Sequence, residues 1–150
     1  IPCAIILYGT WDLVHMENEI MNIVLIGMPG SGKSTIGVVL AKHLGYTFID
    51  SDIVIQEKHK KLLCELIDEF GEEGFLKIEN DVNKSLDVDR TVIATGGSAV
   101  YSEESMMHLK KSSIFVYLKA WFRHKHILLC NNKYLLFLFR IAHHFFNRTY

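Results

Sequence analysis

Short unbroken apolar runs alternate along this chain with stretches in which apolar residues recur every three or four positions. Asn22-Ile23-Val24-Leu25-Ile26, closed by Gly27, is a continuous run rich in β-branched residues. Such a run suits a strand buried on both faces, as in a parallel sheet. Ser34 to Leu44 follows with Ile36, Val39 and Leu40 at helical spacing, and Gly45 supplies a C-terminal stop. Tyr46-Thr47-Phe48-Ile49 reads as a second strand ending at Asp50-Ser51-Asp52. Leu63, Leu66, Ile67 and Phe70 make one helical stripe before Gly71; Phe75, Ile78, Val82 and Leu86 make the next. Thr91-Val92-Ile93-Ala94 is a third strand, broken by Gly96-Gly97, and Ile114 to Leu118 a fourth. Between these two, Ser102 is placed to cap a short helix. Glu103 and Glu104 lie in its first turn and Lys110 and Lys111 in its last, the charge order that complements the helix dipole. Strands alternating with helices imply right-handed crossovers and an α/β domain with a parallel sheet covered on both faces. From Ala120 onward the period is lost.

Composition narrows the function classes. The 150 residues are 49% hydrophobic with a formal net charge of −1, enough for one domain with a core that needs no staples. The charge balance gives no basis for general nucleic-acid binding, which rests on a basic excess. Cys3, Cys64 and Cys130 are odd in number and far apart, so neither a zinc site nor a disulfide framework is expected and a reducing compartment is. The most apolar stretch, Ile127 to Phe146, is interrupted by Asn131, Asn132, Lys133, Arg140, His143 and His144, too many polar groups for a bilayer core. The apolar start has no Lys or Arg before it and is short for a signal peptide. A cytoplasmic protein without membrane association is expected. Residues 1–20 are expected to be an extension arising from read-through or a fragment edge, with Met16 and Met21 as starts; residues 21–119 form the core and 120–150 a divergent apolar tail.

The sharpest chemical signal is Gly27-Met28-Pro29-Gly30-Ser31-Gly32-Lys33-Ser34, a match to G-x-x-x-x-G-K-[ST]. Glycines here let successive backbone N–H groups surround a phosphate, and the helix that follows adds its positive end. Gly30, Ser31, Gly32, Lys33, Ser34 and Thr35 are the candidate nucleotide-binding residues, with Lys33 on the outer phosphates and the Ser34 hydroxyl on Mg²⁺. Thr35 stands where a dinucleotide loop needs its third glycine, which disfavours that alternative. Asp50 and Asp52 follow the second strand at the edge where ligands of such sheets bind. One can hold a Mg²⁺-bound water while the other orients or deprotonates an acceptor hydroxyl; Asp52 as a plain helix cap is the alternative. Gly96-Gly97-Ser98 lets a ligand approach backbone amides, or is simply a tight turn.

Together these residues resemble the shikimate kinases, a group of P-loop kinases related to the nucleoside-monophosphate kinases. The likeness runs through Ile26 to Gly37, Asp50-Ser51-Asp52, Gly74-Phe75 to Ile78-Glu79, and Ala94 to Val100, covering residues 22 to about 119. It implies a P-loop sheet of about four parallel strands and ATP- and Mg²⁺-dependent phosphorylation of a shikimate hydroxyl, a step of aromatic amino-acid biosynthesis. It further implies that Lys33 neutralises the transferring phosphoryl group, that Ser34 and, through water, Asp50 hold Mg²⁺, and that Asp52 grips the accepting hydroxyl as candidate base. Gly96, Gly97 and Ser98 would line the acceptor pocket, and Glu79 would support it.

The chain departs from the family pattern in three places. Leu76 stands where the family carries an arginine for the substrate carboxylate, and Lys77 lies about 100° away on the helix. Ser98 replaces a third glycine. After the fourth strand, neither the arginine-bearing lid nor the last strand is recognisable; Arg123 and Arg140 fit no lid pattern. The leading expectation is a monomeric kinase for a small hydroxylated acid. Alternatives are another acceptor such as a sugar acid, a nucleotide-binding module with little turnover, and a damaged product with a frameshifted tail. His124, His126, His143 and His144 have no third-ligand pattern for a metal. His43, His59 and His108 are read as solvated, and so are Lys58, Lys60 and Lys61; Asn147-Arg148-Thr149 is a sequon without meaning in the cytoplasm.

Overall fold

The computed structural model describes residues 4–8 and 21–119. The tail over 120–150, with its histidines, Arg123 and Arg140, lies outside the described residues, as do Cys3, Cys130 and the remainder of residues 1–20.

Elements in chain order are β1 (Ala4–Tyr8), β2 (Asn22–Gly27), α1 (Lys33–Leu44), β3 (Thr47–Asp50), α2 (Ser51–His59), α3 (Leu63–Lys84), β4 (Thr91–Ala94), α4 (Glu103–Lys110) and β5 (Ser113–Lys119). A single 3-10 turn, Ala99–Tyr101, precedes α4. The sheet order is β1-β5-β2-β4-β3. β2 pairs in parallel with both β4 and β5, and β3 pairs in parallel with β4. These are the four parallel strands expected from the apolar runs. β1 was not anticipated: it lies antiparallel along the outer edge of β5, Ala4 opposite Lys119 and Tyr8 opposite Phe115. Its apolar run is too short to distinguish a strand from a leader by pattern alone.

Alternation along the strands sends side chains into two layers. Leu25, Val92, Val116 and Leu118 pack with Ala41, Ile36 and Leu40 under α1. Val24 and Ile93 pack on the other face with Leu109 of α4 and with Leu86, Val88 and Phe115. Covering both faces explains why the strands read as unbroken apolar runs. A separate cluster of Ile55, Leu63, Leu66, Phe75 and Val82 joins α2 to α3 beside the sheet. Asn22, the polar residue opening β2, is buried because it ties three connections together. Its N–H donates to Ser112 O, its amide donates to Val88 O, and its Oδ1 accepts from Thr91 N–H.

Helix boundaries follow the capping chemistry. Gly45 ends α1 in the left-handed conformation and donates to Ala41 O, and Ser102 caps α4 by accepting from Ser105 N–H. The expected interruption at Gly71 is present inside α3, where φ is 69° and ψ 179°; a side chain would make that backbone costly. Two expected core faces are shifted. Val39 is 64% exposed, so α1 rests on Gly37 and Ala41, and Phe70, at the end of its stripe, is half-exposed. His108 is not a free surface group, since its Nε2 lies 3.2 Å from Leu86 O.

Gly37 sets how closely α1 approaches the sheet. A methyl there would meet Phe48 Cε2 at 2.5 Å and Leu25 Cδ1 at 3.2 Å. Gly37→Ala should therefore destabilise the protein by about 1–3 kcal/mol in urea or thermal unfolding, because the overpacking outweighs the gain in helix propensity. Unchanged stability would mean that α1 is not seated on those two side chains.

Candidate active site

Strand register assembles the site. Ala94 is the partner of Leu25 on one side and of Asp50 on the other. The connections leaving β2, β3 and β4 thus begin at one level, on the carboxyl edge of the sheet. They are the glycine loop of residues 27–32, the Asp50-Ser51-Asp52 turn, and the Thr95-Gly96-Gly97-Ser98 segment.

Two hydroxyls lock these connections together. Thr95 places both its N–H and its Oγ1 on Leu25 O, at 3.2 and 3.0 Å. Gly96 N–H donates to Ser51 Oγ at 3.0 Å, joining the β4 exit to the start of α2. Ser51 is fully buried. Sequence reasoning passed over Ser51 and Thr95; their only signal was a small hydroxyl beside a candidate residue at a strand exit.

In the glycine loop, Gly30 (φ 73°) and Gly32 (φ 87°) occupy the left-handed region that such phosphate-binding loops use, and Ser31 N–H between them donates to Met28 O at 3.1 Å. Gly32 is the N-cap of α1, and Lys33 opens the helix. The Lys33 side chain is buried, and its ammonium donates to Gly27 O at 2.8 Å and Met28 O at 2.9 Å. Burial lowers the Lys33 pKa, and the charges of Asp52, Asp50 and Glu79 oppose that shift. Ser31 is buried and its Oγ has no hydrogen-bond partner among the described residues. Ser34 and Thr35 are exposed on the first turn of α1.

Asp50 is the N-cap of α2, its Oδ1 accepting from Asp52 N–H at 3.0 Å. The capping role considered for Asp52 thus belongs to Asp50. Asp52 sits half-buried in the first turn, where the helix dipole favours its charge. Glu79, projecting from α3, is 2% exposed. Its pKa is raised to about 7 by burial, with Asp52 adding to the rise while the Ser98 hydrogen bond and Lys33 oppose it. Ser98 Oγ donates to Glu79 Oε2. Gly96 fits between the carboxyls because it has no side chain: a methyl there would meet Glu79 Oε1 at 2.1 Å and Asp52 Oδ1 at 2.8 Å. Gly97, half-buried, continues the same wall.

The geometry gathers Lys33, Asp50, Asp52, Glu79, Gly96 and Ser98 at one sheet edge, with one ammonium among three carboxyl groups. Leu76, one turn before Glu79, packs against the cluster that joins α2 to α3. No group of His, Cys, Asp and Glu among the described residues forms a self-sufficient metal cage.

The chain matches the family model for shikimate kinase over residues 29–134, past the end of β5. It is 43% identical over 104 residues to the shikimate kinase of Clostridium botulinum, covering 69% of this chain and 61% of that one. It is 37% identical over 113 residues to the shikimate kinase of Geobacter sulfurreducens, covering 75% of this chain and 62% of that one. The chain thus spans about three-fifths of the length of these relatives. Among solved structures it is similar to shikimate kinase from Acinetobacter baumannii in complex with shikimate. There the TM-score is 0.69 at 31% identity, covering 83% of this chain and 75% of that one.

Burial of Glu79 has a consequence for stability. Its folded pKa lies above the ordinary 4.5. Its contribution is therefore most favourable below pH 4.5 and declines as pH rises toward 7, where the cost levels off at about 3 kcal/mol. Glu79→Gln should raise the unfolding free energy relative to the parent at pH 8 and lose most of that advantage at pH 4.5. Paired urea titrations at the two pH values check this; a pH-independent difference would contradict the assigned burial cost.

Proposed function

The chain belongs to the shikimate kinase family, and from that premise we propose that it transfers the γ-phosphoryl group of ATP to a hydroxyl of shikimate. The observation that carries this reading is Lys33, a buried ammonium held on two carbonyls of its own loop beside three carboxyl groups. Phosphate oxygens are a better partner than carbonyls for that charge, and they relieve its desolvation. The unpartnered Ser31 Oγ is a second donor available within the same loop.

Each residue then has a defined task. The N–H groups of Gly30, Gly32, Lys33, Ser34 and Thr35 and the positive end of α1 bind the phosphate chain, Ser31 N–H being held on Met28 O. Lys33 exchanges Gly27 O and Met28 O for the outer phosphates and balances charge as the phosphoryl group moves. Asp52, in the first turn of α2, accepts the proton of the attacking hydroxyl as the new P–O bond forms and the bond to the ADP oxygen breaks. Gly96, Gly97 and Ser98 form the wall against which the acceptor lies, and Glu79 stands behind it. Ser34 and Asp50 offer hard oxygen donors at neighbouring connections, which fits Mg²⁺, a cation that keeps several waters and takes phosphate oxygens. Bound there, Mg²⁺ supplies charge neutralisation and alignment of the phosphates.

Leu76 supports a second acceptor. An aliphatic side chain packed into the helical cluster offers no bidentate partner for a carboxylate, so α3 does not select shikimate by that group, and another hydroxylated acceptor such as a sugar acid, held through its hydroxyls, is the second reading. The protein is proposed to work as a cytoplasmic monomer; no helix among the described residues is long and apolar enough to cross a membrane.

A coupled assay with ATP, Mg²⁺ and shikimate, then with sugar acids, tests the reading. ADP release that depends on the acceptor supports it, and ATP binding without ADP release reduces the protein to a nucleotide-binding module. Lys33→Ala should lower turnover by roughly a thousandfold or more, with thermal unfolding of the ligand-free protein unchanged or slightly later. Asp52→Asn should lower kcat by roughly 10²–10⁴-fold while the KM for ATP stays within about twofold; equal losses in both would remove Asp52 from the chemical step.

A further inference from the structure

Glu79 is buried at 2% exposure on the inner face of α3, and the groups that act on it come from three other parts of the chain. Lys33 acts on it from α1, Asp52 from α2, and Ser98 from the segment after β4. From its own helix, the neighbouring position one turn earlier is residue 76, because residues three apart share a helix face. Leu76 offers no donor there and packs with the apolar cluster of α2 and α3; Asn83, one turn later, is buried but its side-chain amide has no hydrogen-bond partner among the described residues. The remaining donor is the Ser98 hydroxyl on Oε2, from a side chain 1% exposed. Oε1 has no hydrogen-bond partner among the described residues and lies against Gly96.

Leu76 and Ser98 are two of the three departures from the family pattern; Ser98 bonds this carboxyl group, while Leu76, one turn before it on α3, packs into the apolar cluster. Where the family pattern has arginine and glycine, this chain has a residue that cannot donate and one that can. We propose that Ser98 is a positioning residue. Its buried hydroxyl donates to Oε2 and holds Glu79 with Oε1 turned to the Gly96 wall of the acceptor pocket. The effect on turnover rests on the kinase reading, whereas the hydrogen bond and its effect on Glu79 do not.

The test uses Ser98→Ala and Ser98→Gly in the whole chain, with the Glu79 carboxyl carbon followed by NMR across pH in the ligand-free protein. Losing a donor to the charged form should move the Glu79 midpoint upward by roughly one pH unit. Ser98→Thr, which keeps the hydroxyl, should leave it near the parent value. Leu76→Arg added to Ser98→Gly should bring the midpoint back down, more than Leu76→Arg does in the parent, the non-additivity expected of two donors to one group. In kinetics, Ser98→Ala should lower kcat/KM for the acceptor roughly tenfold with KM for ATP unchanged. A midpoint unmoved in both Ser98→Ala and Ser98→Gly overturns the proposal. So does strict additivity of the Leu76 and Ser98 substitutions. If the protein turns over no acceptor, the kinase reading fails, yet the titration still decides the role of Ser98.

Discussion

The arrangement depends on keeping one ammonium charged in a place where burial works against it. Lys33 opens a helix inside the loop that wraps it, out of contact with most solvent. Burial alone favours its neutral form; the Gly27 and Met28 carbonyls and the three nearby carboxyl groups oppose that. The loop glycines, the strand register and the α2 cap serve this balance. Positive φ at Gly30 and Gly32 turns the loop around the charge, and the shared level of Leu25, Ala94 and Asp50 brings the carboxylates within range. In the proposed reaction, phosphate oxygens in the loop would complete the balance that the nearby carboxyl groups begin.

Much of this fold was legible in the apolar pattern because both sheet faces are covered. A doubly covered strand has no polar face to interrupt its run, so β2, β4 and β5 announced themselves within a residue or two. Caps were equally readable: Gly45, Ser102 and Gly71 each act locally, through conformations or hydrogen bonds that need no distant partner. The inward face of α1 was not, since its contact with the sheet is set by the absence of a side chain at Gly37. A periodicity count sees Val39 and ignores a glycine. β1 also escaped, because an edge strand is defined by the partner it finds and not by its own pattern.

The site divides along the same line. The glycine loop and the acidic turn are contiguous motifs and could be named from the sequence. Which aspartate caps α2 could not: Asp52 was considered for that part, and only the geometry shows Asp50 spending an oxygen on it. Ser51 and Thr95 fasten three connections through hydrogen bonds spanning 45 and 70 residues, beyond the reach of any local motif. Ser98 was visible as a departure, but its meaning depends on a glutamate 19 positions earlier.

Glu79 shows why such a site cannot be optimised for stability alone. Burying a carboxyl beside Asp52 raises its pKa to about 7, which makes folding at neutral pH dearer than it would be with an apolar residue of similar size. The rest of the domain supplies the compensation in the apolar layers on each side of the sheet. A glutamine would relieve the cost and keep the shape, but it has no titratable group. An acid at this position is therefore the costly choice for stability, in keeping with the proposed place of Glu79 behind the acceptor wall.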